Sequence, residues 1–159
     1  MCCTVRVEAV AASVIAVLGT LLGAGITHAF QRKAIERTEE FTRGEKLRQE
    51  RIDAYCAYAG ALVNYRRVLV DRWFSRHENR PEDGEEARFR SYEMRSEAQE
   101  ALFRVQLLTS DAELVRLAWE TLDQVADVHR ADDRDELAER RRVSRDAINA
   151  FVAAAQRQV

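Results

Sequence analysis

Between Glu8 and Arg32 stand 23 residues without a formal charge, "AVAASVIAVLGTLLGAGITHAFQ", in a chain whose residues are 33% charged overall. As a helix, Ala9 to Phe30 would be about 33 Å long, enough to cross a hydrocarbon layer of about 30 Å. A core helix of a globular domain would carry a polar stripe. Here the polar members are only Ser13, Thr20, Thr27 and His28. Hydroxyls can bond back onto their own helix, and His28 is close enough to the end of the run to reach an interface. The run is expected to be a transmembrane helix over residues 9–30, behind a short extracytoplasmic tail, residues 1–8.

A cleaved signal peptide is the rival reading. Its apolar region is usually shorter, follows a positive start and ends in a small-x-small site. In this chain Glu8 accompanies Arg6 in the leader, and the best cleavage site, Thr27-His28-Ala29, is poor. A retained anchor is therefore expected. Basic residues close to a span mark its inner side. Arg32, Lys33, Arg37, Arg43, Lys46 and Arg48 follow the run, against Arg6 and the terminal amine before it. That asymmetry predicts a single-pass protein of the cell membrane, N-terminus outside and C-terminus cytoplasmic.

Cys2 and Cys3 would then lie outside. A lipid attachment or an intermolecular disulfide is the functional reading, and two unremarkable thiols the favoured one, since no lipobox surrounds them. Cys56 falls in a helical pattern and is expected to be a small buried hydrophobe. Three cysteines without a CxxC spacing frame neither a zinc site nor a disulfide scaffold.

Beyond the span only Pro81, Gly44, Gly60 and Gly84 could break helices, which leaves little room for the turns of a β fold. Residues 31–50 read as a charged helical stalk in which Ile35, Phe41 and Leu47 are the large apolar members and Gly44 offers an interruption. Residues 51–159 read as a cytoplasmic helical bundle. Ile52, Tyr55, Cys56, Ala59, Leu62, Val63, Leu69, Val70 and Trp73 recur at helical spacing until "SRHENRPEDGEE" stops the pattern. A second helix, Glu85 to Leu108, carries Ala87, Met94, Ala98, Ala101, Leu102, Val105 and Leu108. Ser110, three residues before Glu113, has capping-box spacing for a third, with Leu114, Leu117, Ala118, Leu122, Val125 and Val128. Asp132 or Asp133 caps a fourth, with Leu137, Ala147, Ile148, Phe151 and Ala155. Short connections favour antiparallel neighbours. The fold class expected is all-α: one N-terminal transmembrane helix, then an antiparallel helical bundle.

Chemistry-bearing constellations are scarce. His28, His77 and His129 are far apart in sequence, and HExxH, Glu-x-x-His and P-loop patterns are missing. His77 reads as a solvated histidine. His129 reads as a basic residue complementing the end of the third helix, in preference to a weak cation site with Asp127, Asp132 and Asp133. Glu93, Glu97 and Glu100 share a face, but a di-iron bundle would add Glu-x-x-His on facing helices. No catalytic residue, cofactor or metal is assigned, and no enzyme is expected. The basic run "ERRRVSRD" could touch phosphate or lipid head groups; Glu136 four before Arg140 and Arg142 four before Asp146 favour pairing along a solvated face. The aromatic group Tyr55, Tyr58, Tyr65, Trp73 and Phe74 reads as core. With 25 basic and 27 acidic residues, charge balance points to no nucleic-acid partner.

Gly19, Gly23 and Thr27 fall at four-residue intervals on one face, the GxxxG spacing that lets membrane helices approach closely. They offer a homodimer face. An apolar anchor, then "QRKAIERTEEFTRGEKLRQERIDAYCAYAGAL", then a Leu-rich bundle ending "DAINAFVAAAQRQV", resembles the small single-pass membrane proteins common in actinobacteria. Arginine outnumbers lysine 23 to 2, which fits a GC-rich genome. The resemblance implies no activity. Two function classes follow: a membrane-tethered scaffold whose bundle meets a protein partner, or an exported envelope protein if the leader is cleaved or the topology reversed.

Overall fold

The protein, seen in a computed structural model, is described in backbone over residues 3–78 and 81–159, and in side chains at Glu39, residues 41–78 and residues 84–159. Helix α1 runs Cys3–His77, α2 Pro81–Leu108, α3 Ala112–Ala126 and α4 Arg134–Gln156, with a 3-10 turn at Asp127–Arg130 before α4. Among the described residues every regular element is helical, and none is long and apolar enough to cross a membrane. The expected span, residues 9–30, is described in backbone alone, as part of α1, and so are residues 3–8 of the tail and the stalk up to residue 38; their side chains lie outside the described residues.

The chain divides into two compact units, Met1–Lys46 and Leu47–Val159, with α1 contributing to both. In the first, the described residues are all exposed, and Arg43 pairs with Glu39 one turn earlier at 3.4 Å. Gly44 does not interrupt α1; the helix hydrogen bonds run through it although glycine weakens a helix by about 0.5–1 kcal/mol.

The second unit is a four-helix up-and-down bundle, and its cross-links give the directions. Arg51 Nε donates to the Leu108 carbonyl (2.7 Å) and Arg72 Nη1 to Ser91 Oγ (3.0 Å), so α1 and α2 are antiparallel. Tyr58 Oη reaches the Ala118 carbonyl (2.6 Å) and Trp73 Nε1 the Ala131 carbonyl (2.7 Å), so α1 and α3 run the same way. Arg48 Nε donates to the Val159 carbonyl and Arg66 Nη1 to the Arg141 carbonyl, so α4 returns against α1. Arg51 thereby serves one of the last carbonyls of α2, which no N–H of that helix can reach.

The core takes Tyr58, Leu62, Leu69 and Trp73 from α1, and Ala98, Leu102 and Val105 from α2. It takes Leu114, Ala118, Leu122 and Val125 from α3, and Leu137, Ile148 and Phe151 from α4. Phe151 meets Tyr58 and Tyr55 edge-on, with ring centroids 5.0 and 6.3 Å apart, the geometry that aromatic quadrupoles favour.

Three expectations are corrected. Cys56 is exposed, and Val63 is 47% exposed. Tyr55, Tyr58, Leu62, Tyr65 and Leu69 fix the buried face of α1 by steps of three and four, and each of those two residues sits one position, about 100°, off that line. The cap of α3 is Asp111, not Ser110: Asp111 Oδ1 accepts from the Glu113 and Leu114 amides at 2.9 and 3.2 Å. And α2 starts at Pro81 rather than Glu85, because proline suits a first helical turn, whose N–H groups have no partner in any case.

Asp133 caps α4, accepting from the Glu136 amide at 2.8 Å, while Glu136 Oε2 accepts from the Asp132 amide at 2.7 Å. This reciprocal arrangement satisfies two amides at once.

Candidate interaction surfaces

Gly19, Gly23 and Thr27 fall where α1 is described in backbone alone, so the surfaces that can be built are those of the bundle. The first is a groove between α1 and α4. Ile52, Tyr55 and Cys56 face Phe151, Val152 and Ala155 across a cavity of about 220 Å³ whose lining is almost wholly apolar. On one side of it the Tyr55 ring meets Phe151 edge-on. The Tyr55 hydroxyl is buried and has no hydrogen-bond partner among the described residues.

The second is the outer face of α2. Phe89, Tyr92, Phe103 and Leu107 are exposed at 64%, 54%, 50% and 85%. Phe103 leans on Trp119 of α3, ring centroids 6.2 Å apart. This stripe lies opposite the periodic face that the core uses, where Ser91, Ala98, Leu102 and Val105 are buried. The signal was legible: the exposed apolar residues also recur at helical spacing.

The basic run of α4 is largely neutralised within its own helix. Arg140 pairs with Glu136 (2.6 Å), and Arg142 with both Glu139 (2.6 Å) and Asp146 (3.1 Å). The Asp132 amide and then Arg140 hold the Glu136 carboxyl below its ordinary range, and Arg142 does the same for Glu139. Arg66 of α1 faces Arg141 and Arg145, and partial burial followed by these two charges lowers its pKa.

The histidines are not brought together. His77 ends α1, its ring stacked on Trp73 at 3.8 Å and its Nδ1 2.9 Å from the Trp73 carbonyl. His129 lies in the 3-10 turn, with Nδ1 2.7 Å from the Ala126 carbonyl. Burial lowers its pKa, Arg72, Arg130 and Arg76 add to the effect, and the Ala126 contact opposes it. His129 thus sits at the end of the third helix, as expected, with burial holding it toward its neutral form. Among the described residues no group of three or more His, Cys, Asp or Glu side chains could hold a metal ion.

Short connections, a continuous apolar core and two exposed apolar surfaces define an all-α helical module. Its sequence matches the model of the KilB plasmid transfer protein family over residues 52–159, and the chain belongs to that family. The match begins at Ile52, where the amphipathic pattern begins. No curated protein and no solved structure matches the chain.

Proposed function

We propose that this protein is a helical scaffold in plasmid transfer, tethered to the cell membrane by residues 9–30, with its bundle presenting a cytoplasmic surface to a protein partner. The observation that carries this reading is the family match over the bundle, residues 52–159, which follows a segment of membrane-spanning length and a charged stalk. Long apolar runs insert because their side chains favour hydrocarbon over water, and a helix satisfies each backbone polar group internally. The basic residues that follow the run favour the inner side for the bundle. The apolar surfaces on α1/α4 and α2 are of the kind that protein partners cover.

Deletion of the gene from a transmissible plasmid of the native host tests the reading. Transfer frequency should fall and return when the full chain is supplied. A version beginning at Gln31 should leave the membrane fraction and fail to restore transfer. Full restoration by that version would remove the tether from the proposal. Unchanged transfer after deletion would remove the scaffold.

A thiol-labelling experiment tests the topology. In intact cells a membrane-impermeant reagent should not reach a cysteine introduced by His77→Cys in a chain with Cys2, Cys3 and Cys56 replaced by serine. Labelling without permeabilisation would favour an exported envelope protein instead.

A further inference from the structure

We propose that the outer face of α2 pairs with the same face of a second copy of this chain, the two helices lying parallel and in register. Phe89, Tyr92, Ser96, Phe103 and Leu107 follow one another by steps of three, four, seven and four on the side of α2 that the core does not use. In a heptad with Phe89, Ser96 and Phe103 at the first position, Tyr92 and Gln99 take the fourth. The flanks then separate by sign. Arg88 and Arg95 line one edge, Glu93 and Glu100 the other, and all four are exposed.

That separation selects both the occupant and its direction. In a parallel pair the residue before one seam position faces the residue after the next fourth position of the partner. Arg88 would face Glu93 of the second copy and Arg95 would face Glu100, and the two-fold axis repeats both pairs. An antiparallel pair would set Arg against Arg and Glu against Glu. The face is thus complementary to itself in one orientation, as an isologous contact requires. Arg88 is already held at the edge of the seam, its Nε 3.4 Å from Tyr92 Oη and its guanidinium carbon 5.7 Å from the ring centre. Ser96 and Gln99 put polar groups in mid-seam, which favours a single register at a cost in strength. The pairing is therefore reversible.

The test uses the full chain in cells of an expression host, with Cys2, Cys3 and Cys56 replaced by serine. Glu85 takes the fourth position one heptad before Tyr92, so Glu85→Cys and Ser96→Cys, introduced separately, place a thiol at two seam positions that meet their own counterparts only in a parallel pair. Mild oxidation should bridge two copies at both positions. Adding Phe103→Glu with Leu107→Glu should lower the bridged fraction at least fivefold.

Glu93→Lys with Glu100→Lys should lower it as well, and co-expression with a chain carrying Arg88→Glu and Arg95→Glu should restore bridging between the two unlike chains. This arm leaves the apolar face intact and so does not depend on the Phe103 variant folding. No bridge at either position, a bridge at Ser96→Cys without one at Glu85→Cys, or bridges indifferent to all these changes would each overturn the pairing.

Discussion

Tyr58 Oη donates to the Ala118 carbonyl at 2.6 Å, tying the bundle part of α1 to the middle of α3 across 60 residues of sequence. Tyr58 is fully buried, so no water can substitute for the carbonyl. A phenol in that position must stay neutral. Burial pushes its pKa well above the ordinary 10.0, and the nearby Asp123 carboxylate adds to the rise.

The alkaline limb of stability follows. In the unfolded chain Tyr58 ionises near its ordinary value of 10.0, while the folded state holds the proton to higher pH. Folding stability is therefore full below about pH 10 and declines as pH rises beyond it. Tyr65, whose pKa burial also raises against the pull of Arg95, Arg72 and Arg130, acts in the same direction. Tyr58→Phe should cost about 0.5–1.5 kcal/mol at neutral pH through the lost hydrogen bond. It should reduce the alkaline slope without abolishing it, as read by urea midpoints across the alkaline range.

An acid limb belongs to His129. Its folded pKa lies below the ordinary 6.5 because burial, then three arginines, oppose the charge. Stability is present above about pH 6.5 and is lost as pH falls from there through the lowered folded value. Glu136 and Glu139, whose pKa values are depressed from 4.5, act only at lower pH. Thermal melting points should fall with mild acidification, and His129→Gln should flatten that part of the profile. An unchanged profile in the variant would assign the acid limb elsewhere.

Capping separates two neighbouring residues. Asp111→Ala removes the acceptor of two amides at the start of α3 and should cost about 0.5–2 kcal/mol. Ser110→Ala, at an exposed position, should change stability by less than about 0.5 kcal/mol. Denaturant titration of the two variants distinguishes them.

The bundle should fold by itself. A fragment over Leu47–Val159 retains the whole second unit and should be strongly helical by far-UV circular dichroism, with one cooperative melt. Leu122 is 2% exposed in its core, and Leu122→Ala should destabilise the fragment by about 2–5 kcal/mol. A fragment without cooperative melting would mean that the apolar stripes require residues 1–46.

Each helix of the bundle was legible because its apolar residues repeat every three or four positions and few Gly or Pro residues intervene. Leu114, Ala118, Leu122 and Val125 were readable as one buried face of α3, and Leu137, Ile148, Phe151 and Ala155 as one face of α4. The cap of α3 was less legible, since Ser110 and Asp111 both belong to the residue types that cap helices. Only the backbone conformation chooses between them, and it turns into the helix after Asp111.

Periodicity determined that this chain is helical, and where its helices break, because burial of an apolar face repeats with the 3.6-residue turn whatever lies opposite. On α2 it marked the face that is buried but passed over a second apolar run on the opposite side. Ala98, Leu102 and Val105 are buried, while Phe89 and Phe103, both larger and more apolar than alanine, are not. It could not place Cys56 on the outside or give Tyr58 the Ala118 carbonyl. Those outcomes depend on how closely helix axes approach one another. Small residues such as Ala98 and Ala118, fully buried at the contacts, permit a close approach, whereas bulky side chains on the outer face of α2 remain in solvent. A choice of that kind requires all four helices at once, so it belongs to the tertiary structure alone.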